Sequence, residues 1–340
     1  MKMNLTKTNF TSGIGIVSHL FSSAVCLVAL FLICSSASAQ NLFVSGHNWN
    51  SAGGREILDD EANGAIFEFT WDGRQSIFAS ANFPRDVTFD NRGNLFFADC
   101  SGCWTPHPVV VIYKIAPNGA WTTFASGPGY YTSYLASDTA GNLFVADSDH
   151  GIIYKYKLNG SRTTFASGLY RPVGLACDSM DNLFAVDNSA GNIHQGSVYR
   201  YKPDGSRTTI AVLDQSDRPT DLALDSMGNL FMADLGGNIY RYDLHILRRY
   251  PRTTFGSVPN SAQSLAFDSA GSLFVVDAGD VNGSGNMIHK FTQQGVRSRL
   301  PRDRVLVKPL DISPSSPRCV VSEKQEWIRR LIAIAPGAVQ

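Results

Sequence analysis

Short apolar stretches alternate with polar turns along most of the chain. A typical stretch is Leu183-Phe184-Ala185-Val186, which ends at Asp187. Shortly after it, Val198-Tyr199-Arg200-Tyr201-Lys202 alternates apolar or aromatic side chains with basic ones. A period of two is typical of a strand with one buried face, and a short continuous apolar run is typical of a strand buried on both faces. The pattern therefore predicts an all-β protein.

The apolar stretches belong to an internal repeat whose core reads Asp-Ser-x-Gly-Asn-Leu-Phe-x-x-Asp. Its leucine recurs at positions 42, 95, 143, 183, 230 and 273, so that successive copies are 40 to 53 residues apart. Repeats of about this length form the four-stranded blades of β-propellers. The Gly-Asn pair suits a tight turn between two antiparallel strands. The sequence predicts a six-bladed β-propeller with four-stranded antiparallel blades.

The strand count also predicts how the ring closes. Second, third and fourth strands occur six times, but the first strand occurs only five times between residues 87 and 268. The repeat begins directly on a second strand at Asn41, so the missing first strand should come from the C-terminal side. Residues 308–312 resemble the segments that lead into other first strands. We expect this C-terminal strand to close the ring and to remove a free sheet edge.

The first residues of the chain have the features of a signal peptide. An apolar run from Ala24 to Cys34 precedes the small residues Ala37-Ser38-Ala39, which fit a cleavage site. The run is shorter than the roughly 20 apolar residues of a membrane-spanning helix. We expect a secreted or periplasmic protein, with a retained N-terminal anchor as the alternative. The predicted organisation is a signal peptide at 1–39, the propeller at 40–313, and an irregular or short helical tail at 314–340.

The balance of charges in the chain limits the classes of partner that it is expected to bind. The chain has 29 basic and 29 acidic residues, so its net charge is zero. A nucleic-acid-binding protein or a protein that binds anionic membranes would show a basic excess or patch. We therefore expect no nucleic acid and, after signal removal, no membrane as partner. The expected partners are a small molecule, a saccharide or a protein, bound by a monomer.

Four cysteines follow the predicted signal peptide: Cys100, Cys103, Cys177 and Cys319. Cys100 and Cys103 form a single Cys-x-x-Cys pair, without the second pair or histidine that a zinc site needs. The pair also follows a strand, not the helix N-terminus that lowers a thiol pKa in redox enzymes. In an exported protein we expect either a local disulfide between them or two free thiols.

The repeat resembles a known group of propellers. Residues 138–147 read Asp-Thr-Ala-Gly-Asn-Leu-Phe-Val-Ala-Asp, which looks like the NHL-repeat propellers and the related SMP-30/gluconolactonase-like six-bladed propellers. The resemblance extends from residue 41 to about residue 300. It implies the propeller fold, and for a gluconolactonase-like enzyme it implies a divalent metal held by carboxylates around the central channel. Propellers of this kind also include pure binding scaffolds.

Candidate metal ligands follow from two positions in the repeat. Asp86 and Asp221 lie near the beginning of first strands, where they can point into the channel. Several second strands end in Asp, and a ring of such carboxylates could hold Ca²⁺ or another divalent cation. The alternative is that each one binds the backbone N–H groups of its own loop. The candidate ligands at the ends of second strands are Asp147, Asp187 and Asp234; no cofactor is certain.

Candidate ligand-binding residues lie in the loops between second and third strands and in those between blades. These loops vary in length, and variable loops on a rigid scaffold commonly carry binding residues. Aromatic platforms suit a sugar or peptide, and arginines suit an anion. The candidates are Trp49, Trp104, Tyr130, Tyr131, His150, Arg171 and Arg218. The sequence favours a secreted binding propeller, and a metal-dependent lactone hydrolase is the alternative.

Overall fold

The fold is described by a computed structural model. It describes residues 41–48, 64–70, 74–101, 109–128, 133–188, 196–246, 250–278, 287–300 and 307–314. Among these residues no helix has the length and apolar character that crossing a membrane requires.

Within the described residues, twenty-four strands form six antiparallel sheets of four strands each, which confirms the predicted fold class. Blade 1 consists of β24 (Val307–Pro314), β1 (Leu42–Asn48), β2 (Gly64–Phe69) and β3 (Gln75–Ala81). Blade 2 consists of β4 (Pro84–Phe89), β5 (Leu95–Ser101), β6 (Val109–Ile115) and β7 (Trp121–Pro128). Blade 3 consists of β8 (Ser133–Ser137), β9 (Leu143–Asp147), β10 (Ile152–Tyr156) and β11 (Arg162–Ala166). Blade 4 consists of β12 (Pro172–Cys177), β13 (Leu183–Asp187), β14 (Ser197–Tyr201) and β15 (Arg207–Val212). Blade 5 consists of β16 (Pro219–Leu224), β17 (Leu230–Asp234), β18 (Asn238–Tyr242) and β19 (Arg252–Ser257). Blade 6 consists of β20 (Ser261–Phe267), β21 (Leu273–Ala278), β22 (Met287–Phe291) and β23 (Arg297–Arg299).

The ring closes as the strand count predicts. Strand β24 pairs antiparallel with β1, in a register that places Pro314 opposite Leu42 and Asp311 opposite Ser45. It thereby supplies the first strand of blade 1, which the N-terminal part of the repeat lacks. Strand β24 also packs against β4 on one side and β20 on the other. Both ends of the propeller therefore meet in one sheet, and each first strand that the structure describes has a neighbouring blade.

The turns between first and second strands explain why the repeat combines Asp with Asn. In blade 2, Asp90 Oδ1 accepts the backbone N–H groups of Arg92 and Asn94, each at 2.9 Å, and Oδ2 accepts the Asn94 side-chain amide at 2.6 Å. The same carboxylate–amide pair recurs in blades 3, 4 and 5 at Asp138–Asn142, Asp178–Asn182 and Asp225–Asn229. We call the face with these turns the lower face; the opposite, upper face carries the beginnings of the first strands.

The Leu-Phe pair of the repeat builds the core between blades. In blade 4, Leu183 is buried with Phe144 of blade 3, whereas Phe184 is buried with Leu222 and Met232 of blade 5. Consecutive side chains of a strand point to opposite faces, so one pair joins its blade to both neighbours. Each such side chain contributes about 1.5–3 kcal/mol by leaving water. Stability is therefore spread around the ring.

Blade 6 departs from the repeat on its third strand. In blades 3, 4 and 5 an arginine of the fourth strand lies over the ring of a third-strand tyrosine, which is Tyr154, Tyr199 or Tyr240. The distances from the guanidinium carbon to the ring centroid are 4.5, 4.5 and 4.0 Å. In blade 6 the same register position holds His289, opposite Val275. His289 is fully buried, and its Nε2 lies 3.2 Å from Asp277 Oδ2. Within the described residues its Nδ1 atom has no hydrogen-bond partner.

This substitution predicts a pH-dependent stability. Burial lowers the pKa of His289, and the nearby cations of Arg297 and Arg299 lower it further, although Asp277 opposes them. A folded-state pKa below the unfolded value of about 6.5 means that the unfolded chain binds the proton more tightly. The stability that the neutral histidine supports is therefore complete above this pH and is lost as the pH falls towards the folded pKa.

The expected result is that His289→Tyr, which restores the residue of the other blades, weakens this pH dependence. Denaturant unfolding of both proteins between pH 8 and pH 5 measures it. The free energy of unfolding should fall more steeply in the wild type than in the variant below about pH 6.5. Two parallel curves would show that another group is responsible.

Candidate functional site

The aspartates at the ends of the second strands bind backbone in two different ways. Where the following loop is short, the carboxylate binds that loop. Asp147 accepts the backbone N–H of His150 at 3.1 Å and lies 2.9 Å from its ring Nδ1, while Asp234 accepts the N–H of Asn238 at 2.7 Å. These two aspartates therefore bind the backbone of their own loops, in the way that the sequence suggested as the alternative to metal binding.

Where the following loop is long, the carboxylate binds the loop before the first strand of the same blade. Asp187 accepts the N–H groups of Tyr170 at 3.0 Å and Arg171 at 2.7 Å. Asp99 and Asp277 do the same for the pairs Asn82–Phe83 and Asn260–Ser261. The structure thus differs from the expectation that every such aspartate binds its own loop. These three fix the segments that connect one blade to the next.

One fixed segment presents two side chains that suit ligand binding. Tyr170 is 47% exposed and Arg171 is exposed, although Asp187 binds the backbone of both. The corresponding pairs in the other two segments, Asn82–Phe83 and Asn260–Ser261, do not combine an aromatic side chain with a cationic one. Arg171 was a candidate from the sequence, but Tyr170 was not, because only the hydrogen bonds to Asp187 distinguish it from an ordinary loop tyrosine.

The two candidate ligands on first strands join neighbouring blades. Asp221 is buried, and its carboxylate accepts the N–H of Leu222 at 2.7 Å, the N–H of Leu265 at 2.8 Å and the hydroxyl of Ser264 at 3.0 Å. Leu265 and Ser264 belong to blade 6. Asp86 repeats the arrangement between blades 2 and 3: it accepts the N–H groups of its neighbour Val87 and of Leu135. Both carboxylates therefore lie at the channel and stabilise contacts between blades.

Blades 3 and 4 change this position of the first strand. Tyr134 in blade 3 and Gly174 in blade 4 stand where blades 2 and 5 have Asp86 and Asp221. Gly174 has a φ of +101°, and a Cβ atom there would lie 2.9 Å from the Cα atom of Asp221. The ring of Tyr134 packs against the clusters between blades 3 and 4 and between blades 4 and 5. Tyr134 thus extends across blade 4 towards blade 5.

Tyr134 lies among charges of both signs. Burial raises the pKa of its hydroxyl well above the usual value, and the carboxylates of Asp221 and Asp86 raise it further. The guanidinium groups of Arg171 and Arg85 have the opposite, smaller effect on the same pKa. The hydroxyl therefore stays protonated and can donate or accept a hydrogen bond. Sequence reasoning missed Tyr134; its signal was the departure from the aspartate of blades 2 and 5.

Below Asp86 and Asp221 the channel opens into a cavity of about 280 Å³. The first strands of blades 2 to 6 supply its lining, which extends from the two aspartates down to the ends of these strands. The channel therefore has two distinct parts: an upper part around Tyr134 and Arg171, and this lower cavity.

The geometry of the described residues does not fit a metal centre. Asp86 and Asp221 direct their oxygens at backbone N–H groups of first strands. Asp147 and Asp234 bind the loops that follow them, and Asp187 binds the segment that precedes its blade. In the part of the chain that the structure describes, no three His, Cys, Asp or Glu side chains come together as metal ligands would. Ca²⁺ or another hard cation takes six to eight oxygen ligands.

The remaining candidates fall into three groups. Trp49, Trp104, Tyr130 and Tyr131 lie outside the described residues. His150 is exposed beside Asp147, whose hydrogen bond and charge raise the pKa of the imidazole. Arg218 is exposed before blade 5, and its carbonyl accepts the N–H of Leu235 at 2.9 Å. Cys100 is disulfide-bonded, to a partner outside the described residues, which supports the disulfide alternative for this residue.

Comparison with known proteins agrees with this architecture. The model of a family described as strictosidine synthase-like, N-terminal, matches residues 206–242. A comparison with curated protein sequences finds no significant match.

Solved structures align over most of the chain. A gluconolactonase from Xanthomonas campestris is 15% identical with a TM-score of 0.54, over 75% of this chain and 84% of that one. Virginiamycin B lyase from Staphylococcus aureus is 14% identical with a TM-score of 0.52, over 78% and 90%. A Bacteroides caccae protein of unknown function is 16% identical with a TM-score of 0.54, over 82% and 99%. These matches confirm, at the level of the fold, the resemblance inferred from the repeat. The chain therefore shares its six-bladed β-propeller fold with gluconolactonase-like proteins and with virginiamycin B lyase.

Proposed function

We propose that this protein is an exported binding propeller that takes a small, hydroxyl-rich molecule with a carboxylate at the upper mouth of its channel. Tyr170 and Arg171 make the principal contacts, and Tyr134 forms the inner end of the site. The proposal includes secretion, a monomeric state and a ligand of the size of a sugar acid. Nucleic acid is not a partner.

The observation that carries the proposal is the fixed backbone beneath two exposed side chains. Asp187 holds the N–H groups of Tyr170 and Arg171 at 2.7–3.0 Å, so the segment is ordered before any ligand arrives. A preorganised aromatic ring and guanidinium lose little freedom on binding. The ring offers a flat apolar surface to a sugar, and the guanidinium can bind a carboxylate through two parallel hydrogen bonds.

Tyr134 supports the same conclusion from inside the channel. Its protonated hydroxyl lies in the fields of two carboxylates and two guanidinium groups, which suits a ligand with several hydroxyl groups. By contrast, the carboxylates of Asp86 and Asp221 are engaged with backbone N–H groups of adjacent blades. This arrangement favours binding over metal-dependent catalysis.

A matched pair of probes tests the proposed ligand class. Glucuronate and glucose differ by a carboxylate, and isothermal titration calorimetry measures the affinity of each. Arg171→Ala should weaken glucuronate binding at least about tenfold, the value of one charge-assisted hydrogen bond, and leave glucose binding unchanged. Tyr170→Ala should weaken both. Lys157→Ala, a charge removal in an exposed lower turn, is the control and should change neither. Failure of either sugar to bind the wild type would contradict the proposal.

The second candidate is a lactone hydrolase, favoured by the fold shared with a gluconolactonase and by the two carboxylates at the channel. Hydrolysis of glucono-δ-lactone in the presence of Ca²⁺, Mg²⁺ or Zn²⁺ decides between the two. The binding proposal expects no turnover above the uncatalysed rate with any of the three ions. Turnover that is lost in Asp86→Asn, with the fold retained, would replace the binding proposal by the hydrolase.

A further inference from the structure

The first strands of most blades contain an extra residue near their upper ends. In blade 2, Pro84 pairs with Asp99 and Asp86 pairs with Ala98, so Arg85 is the extra residue between the two pairs. The same irregularity occurs at this place in blades 1, 4, 5 and 6, whereas blade 3 pairs regularly. A β-bulge of this kind redirects a side chain and is common at the rims of closed sheets and beside active sites. The bulges therefore influence which side chains reach the upper mouth of the channel.

The bulge of blade 2 differs from the others in its charge. In blade 4 the bulge contains Val173, which is buried in the core cluster between blades 4 and 5. In blade 5 the hydroxyl of Thr220 donates to the carbonyl of Ala262 at 2.6 Å, and in blade 6 the amide of Gln263 donates to Ser261 Oγ at 2.7 Å. Of the four bulges whose side chains the structure describes, the one in blade 2 therefore brings a cation to the upper mouth.

The side chain of Arg85 is held by an aromatic ring. Its guanidinium carbon lies 4.1 Å from the centroid of the Phe83 ring, a cation–π contact. Asp99 fixes the backbone beneath this ring, because its carboxylate accepts the N–H of Phe83 at 2.6 Å. Asp187 fixes the backbone of Arg171 in the same way, at 2.7 Å. Blades 2 and 4 thus each present an arginine on a segment that is ordered before a ligand arrives.

The two arginines approach Tyr134 from blades on either side of it. Strand β8, which contains Tyr134, packs against β4 on one side and β12 on the other. Arg85 belongs to β4, and Arg171 directly precedes β12. Both guanidinium groups oppose the rise in the pKa of the Tyr134 hydroxyl. Interactions between charges fade over about 10 Å at roughly 0.1 M salt, so both cations lie near this hydroxyl.

We propose that Arg85 is a second anion-binding residue of the upper site and that the ligand is an open-chain sugar acid with a carboxylate at each end. Arg171 binds one carboxylate and Arg85 binds the other, each through two parallel hydrogen bonds. The Tyr134 hydroxyl, between them, binds a hydroxyl group of the ligand chain. Two guanidinium groups on opposite sides of Tyr134 suit two separate acidic groups better than one. The inference rests on the proposed function, because it uses Arg171 at the same site.

Glucarate and gluconate are a matched pair of probes, because these open-chain acids differ only in a second carboxylate at the far end. Isothermal titration calorimetry should show that the wild type binds glucarate at least about tenfold more tightly than gluconate. Arg85→Gln should abolish this preference and leave the affinity for gluconate unchanged, and Arg85→Lys should retain part of the preference. Arg171→Ala should weaken the binding of both probes. Arg92→Gln, the same change in an exposed lower turn of blade 2, is the control and should preserve both affinities.

The outcomes separate this inference from the proposed function. Equal affinities of the wild type for glucarate and gluconate would overturn the role of Arg85 and leave the binding proposal intact, whereas binding of neither probe would overturn both. A salt titration of the wild type needs no variant to fold. Added NaCl should narrow the preference for glucarate, because salt screens the attraction between the second carboxylate and a cation. A preference that salt does not change would show that this carboxylate meets no cation.

Discussion

Gly151→Ala is expected to destabilise the propeller by about 3–5 kcal/mol, or to prevent folding. Gly151 has a φ of +65°, and a Cβ atom there would lie 1.9 Å from the carbonyl oxygen of Leu169 and 2.9 Å from its carbonyl carbon. Because the obstacle is backbone, no side chain can rotate away. The hydrogen bond from the Leu169 N–H to the Gly151 carbonyl, at 3.2 Å, brings the two segments together. The substitution therefore separates two loops of the upper face.

Gly168→Ala is the matched control for this prediction. Its φ of +75° is similar, but a Cβ atom there would meet nothing within 4 Å. Only the cost of a left-handed conformation remains, about 1 kcal/mol. Denaturant unfolding of the two variants separates backbone strain from steric overlap. Equal losses in both would show that the close approach of Leu169 is not what makes Gly151 necessary.

Asp221→Ala is expected to lower the free energy of unfolding by about 3 kcal/mol. The substitution removes the acceptor for the N–H groups of Leu222 and Leu265 and for the hydroxyl of Ser264. A buried donor left without a partner costs about 1–3 kcal/mol, and a charged acceptor increases the loss. Asp86→Ala should have a similar effect, because Asp86 joins blades 2 and 3 in the same way.

The control for this prediction is Asp204→Ala. Asp204 also accepts a backbone N–H, from Ser206 at 2.8 Å, but it lies in an exposed turn. Its loss should change stability little, because water replaces the carboxylate. Unfolding in denaturant measures all three variants. If Asp221→Ala unfolds like the wild type, the carboxylate does not join the blades, and its place at the channel needs a functional explanation.

The architecture could be predicted because the repeat is local. Each Leu-Phe pair and each Asp-x-x-Gly-Asn turn specifies its own strands and hairpin, and the count of first strands indicated that residues 308–312 close the ring. Strand β24 confirms this closure. The repeat could not predict the different roles of its terminal aspartates, because Asp147 and Asp187 occupy the same position in it. Whether such a carboxylate binds its own loop or the preceding one follows from the length of the loop after it.

The upper site depended on contacts that no local pattern encodes. Tyr170 stands out only because Asp187, 17 residues later, binds its backbone while its side chain remains exposed. Tyr134 of blade 3 packs against the cluster between blades 4 and 5 and lies in the field of Asp221 of blade 5. These relations involve three blades and arise only when the ring has formed.

The sequence by itself determined the six blades, their order and the strand that closes them, because strand periodicity and turn chemistry act between residues close together in the chain. The tertiary structure alone decided which carboxylates join blades, which loops are fixed and where the channel becomes a cavity. The physical reason is that a carboxylate binds whichever N–H groups packing brings within about 3 Å. For Asp86 and Asp221 those groups belong in part to the next blade, more than 40 residues away in the chain.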